Sequence, residues 1–198
     1  MNCRCLLYFK IIIFKGGGIT SMSIKFLLIQ FIGLLAGVFL ILSYFRKDTN
    51  KVLSFHIVSG LLDFIHYLLL GAYSGASTYL LEGTRDLLYY KTDKDKLIFV
   101  ISAILYISIS FLFVRSWVDY LPIFASLVDG YSLTLEKKYV TIGAIISYTA
   151  WVTYSIHVFS FAGLLIDAII LVSNIFIFIN TSIFGKKNNN KRIINYGK

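Results

Sequence analysis

The sequence predicts an all-α integral membrane protein with seven transmembrane helices, arranged as two parallel three-helix repeats joined by a linker helix. Of its 198 residues, 58% are hydrophobic and only 15% are charged, whereas soluble domains carry about 25% charged residues. The mean hydropathy is +0.78. Long apolar segments follow one another in the order three, one and three, and this order predicts the 3+1+3 arrangement.

Seven apolar segments, separated by short polar connectors, are the predicted membrane spans. Lipid offers no water to unpaired backbone groups, so spanning segments are helices or closed barrels. Apolar and polar residues do not alternate along these segments, as they do in barrel strands. The spans cover residues 26–45, 52–72, 78–90, 97–114, 120–135, 139–159 and 161–184. The third and fifth are short and carry charges, so six spans are the alternative.

The placement of lysine and arginine predicts the orientation in the membrane. With seven spans, one side holds most basic residues, and the other holds only Lys25, Arg115 and any upstream extension. The basic side carries Arg46, Lys47, Lys51, Lys91, Lys94, Lys96, Lys137, Lys138 and the C-terminal tail. Cytoplasmic loops are enriched in Lys and Arg, so the N-terminus is predicted outside and the C-terminus inside.

The net charge of +9 does not predict nucleic-acid binding. The basic residues lie in short connectors and in the tail, whereas a nucleic-acid site needs them on one face of a binding fold. A basic tail beside a membrane attracts anionic lipid heads instead. The lipid bilayer is therefore the predicted partner.

The two ends of the chain are predicted to lie outside a single transmembrane domain of residues 22–184. Residues 1–21 hold an apolar run that Lys10 interrupts and that is shorter than the roughly 20 residues of a spanning helix. Residues 15–18, Lys-Gly-Gly-Gly, can be encoded by a purine-rich string like a bacterial ribosome-binding site. We hypothesise that translation starts at Met22; the alternative is a short membrane-surface extension. Residues 185–198 are predicted to be a disordered, basic cytoplasmic tail.

Spans two and three resemble spans six and seven, which suggests an internal repeat. Residues 64–67, Phe-Ile-His-Tyr, match residues 151–154, Trp-Val-Thr-Tyr, and an uncharged turn with small residues follows each. Arg85 then falls opposite Asn174, within one position. In transporters built from parallel repeats, the substrate site lies at the repeat interface near mid-membrane. Chance similarity between apolar helices is the alternative.

A family resemblance extends over nearly everything after Met22. It is carried by LIQFIG at 28–33, FRKD at 45–48, HYLLLGA at 66–72, GAS at 75–77, and by Arg85, Trp151, Gly163 and Asn174. These segments look like the YgjV family of bacterial inner-membrane proteins. The resemblance implies a bacterial inner membrane location and no particular activity.

The 3+1+3 layout is more distantly similar to SWEET sugar transporters and other PQ-loop proteins. That similarity implies a central pocket lined by aromatic residues on the second helix of each repeat and by Asn on the third. Trp151 and Asn174 match this pattern, whereas Phe64 and Arg85 stand in their places in the first repeat. The sequence has no Pro-Gln dipeptide, and its one proline is Pro122, so the hinge of that superfamily is not implied.

Polar residues inside the spans are candidates for function, because a charged group at mid-membrane costs about 3 kcal/mol and therefore faces the bundle interior. The predicted ligand-binding residues are Phe64, Tyr67, Arg85, Trp151, Tyr154 and Asn174. The candidate intramembrane polar or proton-handling residues are Gln30, Asp63, His66, Glu82, Asp129 and Asp167. The spacing of three lets Glu82 pair with Arg85 and lets Asp63 relay a proton with His66. The alternative is that these groups clamp helices together.

Gly33 and Gly37 form a Gly-x-x-x-Gly pattern on the first span. Small residues at this spacing allow close helix approach, so the pattern predicts either packing inside the bundle or, more weakly, a homodimer face. Cys3 and Cys5 lack metal-ligand spacing, and no His, Cys and carboxylate cluster is present in the sequence, so no metal or cofactor is predicted.

The sequence therefore predicts an inner-membrane protein of transporter-like architecture that binds or moves a small polar solute. An enzyme is not predicted, since the sequence has no Walker loop and no nucleophile motif. The alternative function is that of a non-transporting receptor or assembly protein.

Overall fold

A computed structural model describes residues 24–45, 49–92, 95–135 and 137–184. The predictions for residues 1–21 and for the tail 185–198 lie outside these ranges. Seven α-helices cover most of the described chain: α1 Ile24–Tyr44, α2 Thr49–Leu69, α3 Tyr73–Lys91, α4 Asp95–Phe113, α5 Tyr120–Ser132, α6 Lys137–His157 and α7 Phe161–Phe184. A short 3-10 helix, Trp117–Asp119, precedes α5. The predicted all-helical class is confirmed for the described ranges, which contain no strand.

Three of the helices are long and apolar enough to cross a membrane. The apolar stretches are Ile24–Ser43 in α1, Lys96–Phe113 in α4 and Phe161–Thr181 in α7. These helices leave large apolar side chains exposed, among them Phe31, Phe111 and Phe176, as expected of surfaces in contact with lipid. A shorter apolar stretch, Ser54–Leu69, lies in α2, and the other helices carry more polar residues.

The helices form a ring of six with α4 beside it. In the first half of the chain, α2 packs against α1 and α3; in the second half, α6 packs against α5 and α7. The halves meet where α1 contacts α7 and where α3 contacts α5, and α4 packs against α3 and α5. The side chains of α2 and α6 therefore point towards a shared centre.

The turns that end α2 and α6 have the same backbone geometry. The Ala72 N–H donates to the Tyr67 carbonyl and the Ser160 N–H to the Ser155 carbonyl, each over 2.9 Å, which is the bond that closes a Schellman motif. Gly71 and Phe159 supply the left-handed residue, with φ of 75° and 57°. Glycine adopts this conformation freely, whereas a residue with a side chain pays about 1–2 kcal/mol.

This shared turn corrects two of the predictions made from the sequence. Residues 73–77, which were predicted to form the turn between spans two and three, are helical, because the chain turns at the left-handed Gly71 after α2 and α3 begins at Tyr73. Matching the two turns by their left-handed residues and closing hydrogen bonds also places Tyr67 opposite Ser155 and His66 opposite Tyr154, one position away from the alignment that the aromatic residues predicted. An alignment of the two repeats by their aromatic residues is off by one position, because the position of the turn decides which residues correspond.

Candidate functional site

Four aromatic side chains from α2, α3 and α6 meet at the centre of the ring, and we call Tyr67, Tyr79, Trp151 and Tyr154 the central aromatic cluster. The ring centroids of Tyr79 and Trp151 lie 4.6 Å apart, and those of Tyr67 lie 5.4 Å from Tyr79 and 5.8 Å from Tyr154. Phe64 packs against this cluster. The fold thus brings together four of the six predicted ligand-binding residues. Tyr79 was missed because it lies in the first turn of the third predicted span, one of the two that are short and carry charges.

The tyrosine hydroxyls of the cluster reach across to the opposite half of the chain. The hydroxyls of Tyr67 and Ser155 lie 2.9 Å apart. The Tyr154 hydroxyl lies 3.0 Å from the Ser74 hydroxyl and accepts a hydrogen bond from the Gly75 N–H over 3.1 Å. The α2–α3 and α6–α7 turns therefore lie at the same end of the bundle, and we call this the turn end.

Glycines make room for these tyrosines, which gives a direct test of the packing. A Cβ on Gly163 would lie 2.5 Å from the Tyr67 hydroxyl and 2.5 Å from Ser160 Oγ, closer than packed atoms allow. Gly163→Ala should therefore lower the free energy of unfolding by about 1–3 kcal/mol through overpacking, measured by denaturation of the purified protein in detergent.

Gly83 is the matched control for this substitution. It lies inside α3, and a Cβ added there would have no neighbouring side chain or other element within 4 Å. Gly83→Ala should therefore be neutral or raise the stability by up to about 1 kcal/mol through its helix propensity. Equal losses in the two variants would contradict the close packing at Gly163.

His66 and Gln30, both predicted as intramembrane polar or proton-handling candidates, form hydrogen bonds that join the two halves at the turn end. His66 is fully buried; its Nδ1 lies 2.8 Å from the Ile29 carbonyl and its Nε2 lies 2.8 Å from Ser160 Oγ. A carbonyl only accepts, so Nδ1 carries the proton and Nε2 accepts from the serine. The predicted relay partner Asp63 is not hydrogen-bonded to His66.

Gln30 binds both sides of the α6–α7 turn. Its amide group donates to the Phe159 carbonyl over 3.1 Å, and its oxygen accepts from the Ala162 N–H over 2.9 Å. The second bond satisfies one of the free N–H groups at the start of α7. Asp119, just before α5, accepts a hydrogen bond over 3.2 Å from Ser74 Oγ at the start of α3, and it therefore also joins the two halves at the turn end.

Arg85 ties α3 to α5 in a polar cluster. The side chain is only 3% exposed, and its guanidinium lies 2.9 Å from Asp129 Oδ2 and 3.1 Å from Asp86 Oδ1. It also donates to the Ser126 carbonyl over 3.1 Å. The Ser126 hydroxyl donates in turn to the Glu82 carboxylate. We call these five residues the Arg85 cluster; two of its members, Asp86 and Ser126, are additions to the predicted site.

Three carboxylates, which we call the central carboxylates, face the interior from three helices: Asp63 on α2, Glu82 on α3 and Asp167 on α7. Asp63 interacts electrostatically with both of the others, and Asp167 accepts a hydrogen bond from Ser155 over 3.2 Å. Asp167 is buried, whereas Asp63 and Glu82 are half-buried.

Asn174, the remaining predicted ligand-binding residue, is not joined to the cluster by a hydrogen bond. Its side-chain amide donates to the Ile170 carbonyl of its own helix over 2.9 Å. Bonding to the preceding turn is a common alternative for a short polar side chain in a helix. Asn174 matches the distant transporter pattern in sequence, but its side-chain amide is hydrogen-bonded within α7 and not to the central aromatic cluster.

The Gly-x-x-x-Gly pattern of α1 is used within the chain. A Cβ on Gly33 would lie 2.8 Å from Ala162 and 2.9 Å from His66, and Gly37 faces Ile166 of α7. Both glycines are buried, which lets α1 approach α7 closely. A homodimer through this pattern stays a prediction. Within the described ranges, no three His, Cys, Asp or Glu side chains are arranged to hold a metal ion.

Comparison with known proteins agrees with the family resemblance. The family model Imp-YgjV, described as a bacterial inner membrane protein, matches residues 27–182. No curated protein and no solved structure matches the chain significantly. Because the matched region covers all seven helices almost completely, the chain belongs to the YgjV family of bacterial inner membrane proteins.

Proposed function

We propose that this protein binds a small solute in the space beside the central carboxylates and exposes it alternately to the two sides of the membrane. In this proposal, all seven helices span the membrane as two parallel repeats, α1–α3 and α5–α7, with α4 as the linker. The N-terminus lies outside and the C-terminus inside, so the turn end faces out.

The meeting of polar and aromatic groups from both halves is the observation that carries the proposal. Asp63, Tyr67 and Tyr79 from the first half lie near Trp151 and Asp167 from the second. Enclosed polar groups are costly in a membrane protein and mark solute or ion pathways by default. Binding at the interface of two repeats is also the plan of many transporters.

The hydrogen bonds at the turn end provide a gate in this mechanism. Tyr154 with Ser74, His66 with Ser160, and Gln30 with Ala162 each join the two halves. While these bonds hold, the halves are closed on the side that we place outside. The protein therefore first opens its solute site to the cytoplasm. Opening to the outside requires the two halves to separate at the turn end.

A non-transporting assembly protein is the second candidate, and one observation favours it. The polar atoms of Gln30, His66 and Arg85 are engaged with groups of the chain itself, as expected of helix clamps. The two functions differ in the centre: a transporter holds water beside Asp63, whereas a clamp-only bundle is dry.

Cysteine accessibility distinguishes a wet centre from a dry one. The chain has two cysteines, Cys3 and Cys5, so replacing both with serine gives a background for single reporters. Asp63→Cys should react with a small charged thiol reagent. Leu61→Cys, on the lipid-exposed face of the same helix, should not react, because the thiolate does not form without water. Failure of both to react would contradict a solute space.

The same background tests the orientation. Thr92 and Ser116 are exposed residues at opposite ends of α4. Thr92 lies in the connector between α3 and α4, and Ser116 lies in the connector between α4 and α5. In intact cells, Ser116→Cys should be labelled by an impermeant reagent, and Thr92→Cys should be labelled only after permeabilisation. The reverse result would invert the proposed orientation, and labelling of both from one side would exclude seven spans.

A further inference from the structure

We propose that a chain of buried hydrogen bonds carries a proton between His66 at the turn end and Asp167 further inside the bundle. The relay consists of five side chains: His66, Ser160, Tyr67, Ser155 and Asp167. The inference rests on the proposed function, since it names the proton as the ion whose movement accompanies that of the solute. Asp63 was the predicted relay partner of His66, whereas the hydrogen bonds lead to Asp167.

The relay begins at the imidazole of His66. Nδ1 lies 2.8 Å from the Ile29 carbonyl, and Nε2 lies 2.8 Å from Ser160 Oγ. Because the carbonyl only accepts hydrogen bonds, Nδ1 keeps its proton, and Nε2 is the nitrogen that takes up or releases one. Histidine is the side chain that most readily changes its charge near neutral pH. The titrating nitrogen therefore faces Ser160 and the rest of the relay.

Three hydroxyls meet around Gly163 and form the middle of the relay. A Cβ on Gly163 would lie 2.5 Å from Ser160 Oγ, 2.5 Å from the Tyr67 hydroxyl and 3.0 Å from Ser155 Oγ. Ser160 is a hydrogen-bond partner of Tyr67, and the hydroxyls of Tyr67 and Ser155 lie 2.9 Å apart. A hydroxyl both donates and accepts, so each of the three can receive a proton on one side and release one on the other.

The relay ends at a carboxylate. Ser155 Oγ lies 3.2 Å from Asp167 Oδ2, and Asp167 lies six residues after Phe161, the first residue of α7. Six residues extend about 9 Å along a helix axis, so the relay leads from the turn end into the bundle. Each of its five side chains is at most 4% exposed, and bulk water therefore does not compete for its hydrogen bonds.

The relay has two arrangements of protons in which every one of its hydrogen bonds is made. In the first, Asp167 is protonated, His66 is neutral and each hydroxyl donates towards the imidazole. In the second, Asp167 is ionised, His66 is doubly protonated and each hydroxyl donates towards the carboxylate. The first becomes the second when one proton moves across each link. The carboxyl loses one proton and Nε2 gains one, so no other reactant is needed.

The charged groups around the two ends of the relay differ. Asp167 interacts electrostatically with two other carboxylates, Asp63 on α2 and Glu82 on α3. Within the described ranges, His66 has no charged partner. Transfer along the relay therefore changes the charge among the central carboxylates, beside which we place the solute, and the charge at the turn end. Such a link between two sites is a coupling free energy, which acts equally in both directions.

The first link of the relay also belongs to the gate. His66 lies on α2 and Ser160 just before α7, so their hydrogen bond joins the two halves and breaks when the turn end opens. His66 then exchanges its proton with the outside and is disconnected from Asp167. When the turn end closes, the link forms again and the proton passes inwards. A proton therefore crosses only with a cycle of the gate.

Tyr67→Phe tests the relay, because it removes the middle hydroxyl and keeps the ring. Purified full-length protein is brought rapidly from neutral to acid pH, and infrared absorption follows the protonation of His66, whose bands are identified with His66→Gln. With the turn end closed, the proton reaches the buried imidazole through the relay. Protonation of His66 should be at least about tenfold slower in Tyr67→Phe, since a positioned proton-transfer group contributes about 10²–10⁴ in rate.

Tyr106→Phe is the matched control. Tyr106 is 1% exposed and Tyr67 is fully buried, and the Tyr106 hydroxyl has no hydrogen-bond partner within the described chain. Its removal should leave the rate of His66 protonation unchanged. The melting temperatures of both variants show whether they are folded. If Tyr67→Phe does not fold, Ser155→Ala replaces it, because it removes the next hydroxyl of the relay.

Two results would overturn the inference: equal rates in the parent and in folded Tyr67→Phe, or equal slowing in Tyr67→Phe and Tyr106→Phe. After either result, reaction of Asp63→Cys with the thiol reagent would leave the proposed function standing, and absence of that reaction would reject both. Slowing in Tyr67→Phe alone, together with an unreactive Asp63→Cys, would support the relay and reject the movement of a solute.

Discussion

Arg85→Ala should lower the free energy of unfolding by about 3 kcal/mol. The guanidinium is 3% exposed and binds Asp86, Asp129 and the Ser126 carbonyl, so its removal leaves two carboxylates without their counter-ion between α3 and α5. Breaking a buried ion pair from one side costs about 3–5 kcal/mol. The two carboxylates are 34% and 31% exposed, and water therefore compensates in part, which places the loss at the low end.

Arg115→Ala is the matched control, because it removes the same charge from an exposed side chain in the connector before α5. Its cost should stay within about 0.5 kcal/mol. Both variants are measured by unfolding in mixed detergent micelles. Adding Asp86→Asn and Asp129→Asn to the Arg85 variant should recover much of the lost stability, since no unpaired charge is then left. Equal costs for Arg85→Ala and Arg115→Ala would contradict the role of the ion pairs.

The helices themselves were predictable from the sequence because a span needs only length and apolar character. Each of the seven predicted segments overlaps one helix of the described chain. The boundaries differ where a local backbone feature decides them. At Gly71, two residues after the last residue of α2, the left-handed conformation turns the chain and lets α3 begin at Tyr73. The hydropathy of the sequence does not reveal where such a turn begins or ends.

The partners of the polar residues were less predictable, because spacing along one helix says nothing about the helix that packs against it. A separation of three residues suggested that Glu82 pairs with Arg85, and the guanidinium instead reaches Asp129 on α5. The same reasoning joined His66 to Asp63, whereas the imidazole binds Ile29 on α1 and Ser160 before α7. These contacts depend on how the two halves meet.

The aromatic centre was predictable in part. Phe64, Tyr67, Trp151 and Tyr154 were found because aromatic pairs recur on two helices, and the fold brings them together. Tyr79 carries no such recurrence, so only the packing of α3 reveals it. Asn174 was chosen by analogy with a distant family, and its hydrogen bond stays within α7.

Trp151→Ala should have the largest effect on stability, a loss of about 4 kcal/mol in the free energy of unfolding. The indole is 4% exposed and contacts three rings of the central aromatic cluster, with centroids 4.6 Å from Tyr79 and 5.9 Å from Tyr67 and Tyr154. Truncation removes these contacts and leaves a cavity where α2, α3 and α6 meet, and dispersion contacts are what hold helices together in lipid.

Trp117→Ala is the matched control, since the chain has only two tryptophans and this one is 62% exposed. Its one ring partner in the described chain is His157, 5.3 Å away and edge-on, so the loss should be about 1 kcal/mol or less. Unfolding of both variants in detergent, compared with the parent, gives the difference directly. A cost for Trp151→Ala no greater than that for Trp117→Ala would mean that the two halves are not held together through the central aromatic cluster, and the contacts of α1 with α7 and of α3 with α5 would then hold them together.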